Sequence, residues 1–84
     1  MAKTPRITLY STPRCAYCKQ AREFLKTRKI PFQELDIQQS VKARKQFDRL
    51  GARGVPVITV GEERMDGFKA GPLLKLLRDA GFSI

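Results

Sequence analysis

The apolar residues of this chain fall into short blocks whose spacing switches between that of strands and that of helices. Arg6-Ile7-Thr8-Leu9-Tyr10 is β-branched and aromatic enough for a strand, and Ser11-Thr12-Pro13 breaks it. From Cys15 to Arg28, the residues Cys18, Ala21, Phe24, Leu25 and Arg28 recur at intervals of three and four, while Lys19, Arg22, Glu23 and Lys26 face elsewhere. That spacing predicts an amphipathic helix. Ile30-Pro31 ends it, because the residue before proline avoids the α region, and Phe32 to Ile37 alternates like a half-buried strand. A second helix is predicted over Val41 to Leu50, with Ser40 as N-cap, Ala43, Phe47 and Leu50 on one face, and Gly51 as the stop. Val57-Ile58-Thr59-Val60 is the strongest strand, and Gly61-Glu62-Glu63 turns it into a short partner around Arg64-Met65, closing at Asp66-Gly67. Pro72 near a helix start, then Leu73, Leu76, Leu77 and Ala80 at helical spacing with Gly81 beyond, outlines a last helix.

The resulting order is β-α-β-α-β-β-α, an α/β arrangement. A right-handed crossover sets the first two strands side by side and parallel, and the hairpin adds antiparallel neighbours, so about four strands form a mixed sheet with flanking helices. At 84 residues the chain has room for one domain, 1–84, with a thin core. The longest apolar stretch, Val55 to Val60, is interrupted by Pro56 and Thr59 and falls far short of the roughly 20 residues of a membrane span. The lead Met1-Ala2-Lys3-Thr4-Pro5-Arg6 runs into the first strand without the apolar core of a secretory signal, so the expected location is cytoplasmic.

Charge adds a second theme. Seventeen Lys and Arg against eight Asp and Glu leave a net charge of +9, which attracts anionic partners. A basic nucleic-acid-binding module is the rival reading this sign supports, but the cations are spread from Lys3 to Arg78 and no helix-turn-helix or aromatic RNA-binding motif accompanies them. A solvated surface that keeps a small domain soluble accounts for them better, and nucleic acid is not the expected partner. Histidine is absent, which removes the usual general base and metal ligand.

The chemistry therefore concentrates on the only two cysteines, Cys15 and Cys18. Their spacing puts both thiols within one helical turn, where a reversible disulfide is geometrically allowed. So short a loop removes little entropy from the unfolded chain, and a purely stabilising disulfide is a poor explanation in a reducing compartment. Thiol exchange explains the pair better. Cys15 sits at a helix N-terminus, where free amides and the positive dipole end favour a thiolate, with Arg14 beside it and Lys19 near. It is the candidate nucleophile. Cys18, one turn on and on the face of Ala21 and Leu25, is expected to be buried and to resolve a mixed disulfide. Structural zinc lacks the other half of its ligand set, so no metal site is expected, and an inert cysteine pair does not account for the preceding turn or the surrounding cations.

Tyr10-Ser11-Thr12-Pro13-Arg14-Cys15-Ala16-Tyr17-Cys18, Gly54-Val55-Pro56-Val57 and Gly67-Phe68 together resemble a glutaredoxin of the thioredoxin superfamily, in the family's order and over nearly the whole chain. The resemblance implies a thioredoxin-like fold, a thiol-disulfide oxidoreductase acting on disulfide-containing proteins or glutathione mixed disulfides, no tightly bound cofactor, glutathione as co-substrate, and a monomer. It also implies a cis proline at Pro56 that sets the Val55 backbone beside the dithiol to pair with an extended peptide or glutathione. Tyr17 matches the aromatic of the family's Cys-Pro-Tyr-Cys and lines the groove, or is a plain surface aromatic. Arg53 is either a carboxylate partner or a solvated loop charge. Thr12, Ala16 and Gly54 replace the family's usual lysine, proline and threonine, and Asp66-Gly67-Phe68-Lys69 replaces the stretch that holds glutathione's amino end. Gly67-Phe68 followed by a basic residue is similar to glutaredoxin-like redoxins that serve ribonucleotide reductase and are reduced by thioredoxin reductase. Two electron donors, glutathione and thioredoxin reductase, thus stay open. Certain glutaredoxins carry an iron-sulfur cluster on the first cysteine, which is a third reading.

Overall fold

A computed structural model describes residues 5–82, so the lead residues Met1 to Thr4 on which the expected location rests lie outside the described ones. The elements are β1 (Ile7–Ser11), α1 (Ala16–Thr27), β2 (Gln33–Asp36), α2 (Val41–Arg49), β3 (Val57–Val60), β4 (Glu63–Asp66) and α3 (Ala70–Asp79), in the expected order. The sheet runs β2-β1-β3-β4, with β1 parallel to β2 and the other neighbours antiparallel.

β1 is the axis of the molecule. It has a strand on each side and is buried along its whole length, so its period of two feeds two separate cores. Ile7 and Leu9 join Ala21, Phe24 and Leu25 of α1, Ile58 and Val60 of β3, and Leu73 and Leu77 of α3. Tyr10, on the other face, joins Ile37, Ala43, Phe47 and Val57 under α2. The result is three layers, with two helices on one face of the sheet and one on the other. None of the helices among the described residues is long and apolar enough to cross a membrane.

Several boundaries differ from the sequence reading, each for a local reason. Cys15 is the N-cap of α1 rather than its first helical residue, with extended backbone angles, and Arg28 is its C-cap. Arg28 is exposed instead of joining the apolar face, and its guanidinium lies 3.8 Å from the centroid of the Phe24 ring. The helix ends before Ile30-Pro31: Lys29 takes a left-handed conformation (φ 56°), and Ile30 N–H donates to the Leu25 carbonyl, the pattern of a Schellman stop. The second strand is shorter than Phe32 to Ile37 because its pairing with β1 runs only from Thr8–Gln33 to Ser11–Asp36. Ile37 is already in the turn, where its N–H bonds the Ser11 carbonyl and its side chain is buried. Leu50 caps α2 rather than belonging to it, while Ser40 Oγ accepts from Ala43 N–H and Gly51 takes φ 68°, as expected. Glu63 belongs to β4, not to the hairpin turn, since it pairs with Val60 and leaves Gly61-Glu62 as the connection. The last helix starts two residues before Pro72, at Ala70.

Candidate active site

The C-terminal end of β1 leads through Thr12-Pro13-Arg14 to Cys15, so the central strand delivers the first thiol to the mouth of α1. Cys15 N–H donates to the Thr12 carbonyl at 3.4 Å, and Cys15 Sγ accepts from the Cys18 backbone N–H at 3.1 Å. Sulfur takes the capping role that a serine oxygen would otherwise fill. A thiolate accepts such a bond more strongly than a neutral thiol does. Cys15 is partly exposed and Cys18 is fully buried, packed on the side of Ala21 and Leu25, and both are free thiols.

Burial pushes the Cys18 thiol up to about 12, and its hydrogen bond with Cys15 and the charge of Cys15 add to the effect. A bond from the Thr12 backbone and the charge of Arg22 oppose it. The asymmetry expected of Cys18 is therefore present in geometry: one sulfur faces solvent, the other is sealed behind it and held protonated at neutral pH.

The remaining predicted residues divide among three adjoining depressions. Cys15 opens into one of about 250 Å³ with Pro13, Arg14, Ala16, Lys19 and Arg22, so Arg14 lies beside Cys15 in the fold as well as in the sequence. Tyr17, Val55, Pro56, Gly67 and Phe68 line a second of about 280 Å³, together with Asp66 and Lys69. The Val55-Pro56 peptide bond is cis, and Gly67 N–H donates to the Pro56 carbonyl at 2.8 Å, tying the hairpin end to the proline loop. Tyr17 is 61% exposed, so its ring is open to contact from a partner, whereas Phe68 is half-buried and set edge-on to Phe24 at 5.6 Å. Arg53 is not brought into that groove. It lines a third depression with Arg64, which shares Val55, Asp66 and Gly67 with the second.

One group of residues escaped the sequence reading. Arg22 forms a two-bond pair with Glu34, Nε to Oε1 at 2.7 Å and Nη2 to Oε2 at 2.5 Å, and Ser11 Oγ donates to the same carboxylate at 2.8 Å. This ties α1, β2 and the end of β1 together directly before the Thr12 turn. Arg22 lies one helical turn after Cys18, which was a visible signal, but Glu34 reaches it only through the parallel pairing of β1 and β2.

The glutaredoxin family model matches residues 7–65. An uncharacterized glutaredoxin-like 8.6 kDa protein in the rubredoxin operon of Clostridium pasteurianum is 35% identical over 72 residues, 84% of this chain and 96% of that one. The glutaredoxin-like protein NrdH of Lactococcus lactis subsp. cremoris is 31% identical over 70 residues, 83% of this chain and 97% of the relative. The crystal structure of a glutaredoxin from Archaeoglobus fulgidus is similar with a TM-score of 0.77 at 25% identity, covering 88% of this chain and 87% of the other. Because the match runs from the first strand into the fourth and is supported by a relative of such identity along most of its length, the chain belongs to the glutaredoxin family.

Proposed function

We propose that the protein is a dithiol oxidoreductase that reduces disulfides by two successive exchanges. The observation that carries this reading is the placement of Cys15 Sγ, partly exposed and bonded by the Cys18 amide, directly in front of the sealed Cys18 thiol. The Cys15 thiolate attacks one sulfur of a substrate disulfide, forming a mixed disulfide and expelling the other sulfur as a thiolate that takes a proton. Cys18 then loses its proton and attacks Cys15 Sγ, forming the Cys15–Cys18 disulfide and releasing the second substrate thiol. Two electrons have passed from the protein to the substrate, and an external thiol or reductase must return them.

The resting state holds Cys18 back. Apart from burial, what raises its thiol is the hydrogen bond and the charge of Cys15, and both are lost once Cys15 is bonded to substrate. Capture of substrate therefore eases ionisation of the resolving thiol at the step that needs it.

Tyr17, Val55, Pro56, Gly67 and Phe68 form the surface for the substrate chain, with the Val55 backbone pairing an extended peptide. Gly67-Phe68-Lys69, the feature shared with redoxins reduced by thioredoxin reductase, lies in that groove and favours this enzyme as donor, with glutathione as the competitor. A working dithiol suits a reducing compartment, and the cytoplasm is the place this reading assigns it.

Insulin reduction driven by NADPH, with thioredoxin reductase in one arm and glutathione plus its reductase in the other, tests both parts. The expected result is turnover in the thioredoxin reductase arm, abolished by Cys15→Ser, while Cys18→Ser accumulates a mixed disulfide visible by intact mass. Activity surviving Cys15→Ser rejects the mechanism, and faster turnover with glutathione reverses the donor assignment.

A further inference from the structure

The sheet is covered unequally, and the difference leaves a further cavity. On the face of α1 and α3 the side chains of Ile7 and Leu9 are sealed in core. On the other face α2 is the sole helix among the described residues, and a polar cavity of about 280 Å³ remains between it, the start of β1 and β2. Thr8 of β1 and Arg6 just before it line it, β2 contributes Gln33 and Leu35, and α2 with its cap contributes Ser40, Lys42, Ala43 and Gln46. It shares no residue with the depressions around the dithiol, the cis proline and Arg53.

The chemistry of its wall is one-sided. Two cationic side chains, Arg6 and Lys42, face the cavity, and among the described residues no carboxylate does. Among the described residues neither cation has a side-chain hydrogen bond or ion pair. Gln46 accepts from Tyr10 Oη through its carbonyl oxygen, which leaves its amide donors unused. Ser40 Oγ accepts the capping bond from Ala43, which leaves its hydroxyl proton unused.

Thr8 is the independent sign of a ligand. It is only 8% exposed, it points to the α2 side because Ile7 and Leu9 point away, and its hydroxyl bonds to no described residue. No side-chain oxygen or nitrogen sealed from solvent lacks a partner among the described residues. The Thr8 hydroxyl is therefore open to the cavity, where water or a bound ligand supplies its partner.

The geometry points to a binding site for a small phosphate-bearing anion, held by Arg6 and Lys42 and by the hydroxyls of Thr8 and Ser40, on the face of the sheet away from α1 and α3. Arg can take two phosphate oxygens at once while Lys adds a point charge, and hydroxyl and amide donors complete the shell. The volume lies just below the roughly 300–1,000 Å³ of small-molecule sites, so it fits a free phosphate or a small phosphate monoester rather than a nucleic acid.

Amide chemical shifts of the full chain, followed at constant ionic strength while inorganic phosphate, glycerol phosphate or glycerol is added, test the site. Saturable shifts centred on Thr8, Gln33, Lys42 and Ala43 are expected with the two phosphates and none with glycerol. Tighter binding of one phosphate over the other identifies which source the site takes. The exposed substitutions Arg6→Gln and Lys42→Gln together should weaken binding at least tenfold, and Thr8→Val several-fold, with insulin reduction unchanged. Linear shifts matched by chloride, shifts centred on Arg14 and Lys19 instead, or full affinity in the double variant would each overturn the assignment.

Discussion

The Cys18 thiol shows how much one position in a small protein can be set by its surroundings. It is fully buried and raised to about 12, first by burial and then by Cys15, while the partly exposed Cys15 is accessible. Iodoacetamide at neutral pH should therefore label Cys15 at least about tenfold faster than Cys18, read by peptide mass mapping, since only the thiolate reacts. The same shift links to stability. Between the ordinary cysteine range near 9 and about 12 the unfolded chain releases this proton and the folded chain keeps it, so folding stability falls as pH rises through that window. The slope is at most about 1.4 kcal/mol per pH unit for one group, and Cys18→Ala should flatten it in urea titrations from pH 8 to 11. Glu34 behaves in the opposite sense. The Arg22 guanidinium holds its carboxyl below the usual range, against a smaller opposing effect of burial and with help from Ser11. Its contribution is present above the ordinary value of 4.5 and lost as pH falls through the lower folded value. The side chains of the pair are each 28% exposed, so solvent screens it, and Glu34→Gln should cost about 0.5–1 kcal/mol at pH 7. The difference from wild type should close in acid.

At the level of elements, the ends of the helices decide more than their middles. Ser40 was recognisable as a cap because serine before an apolar-periodic run satisfies orphan amides, and its bond to Ala43 is present. Cys15 was placed at a helix start from the turn before it, yet its sulfur acting as the cap was not legible, because cysteine is not an ordinary capping residue. Ile30-Pro31 marks where α1 ends, but the left-handed Lys29 that makes the stop is not legible. Glycine announces a left-handed residue and lysine does not, so only the Ile30 bond to Leu25 and the burial of Ile30 reveal why the chain turns there. Lys29→Gly should consequently stabilise the protein by about 0.5–1 kcal/mol in urea unfolding, since the side chain's left-handed cost disappears and exceeds the added freedom of the unfolded chain. An unchanged midpoint would show that the lysine fits this conformation without cost.

For the molecule as a whole, β1 is the element that joins core to chemistry: one face packs under α1 and α3, the other under α2, and its end carries the Cys15 turn. Leu9→Ala, at a fully buried position in the larger core, should cost about 2–5 kcal/mol by denaturant unfolding, a large share of the roughly 5–15 kcal/mol of a small protein. Periodicity, β-branched content and the turn and cap residues determined the seven elements, their order and most of the core, because these are local properties of the chain that hold without knowledge of its distant neighbours. The Cys-x-x-Cys spacing likewise determined the two candidate thiols, since one helical turn brings them together in any fold. Tertiary structure alone decided that Glu34 would clasp Arg22, that Arg53 would stand outside the groove of Tyr17, and that Thr8 would open into a cavity. Those outcomes depend on strand pairing and on which part of a sheet a helix leaves bare, and such long-range contacts are fixed by the packing of distant segments rather than by any local pattern.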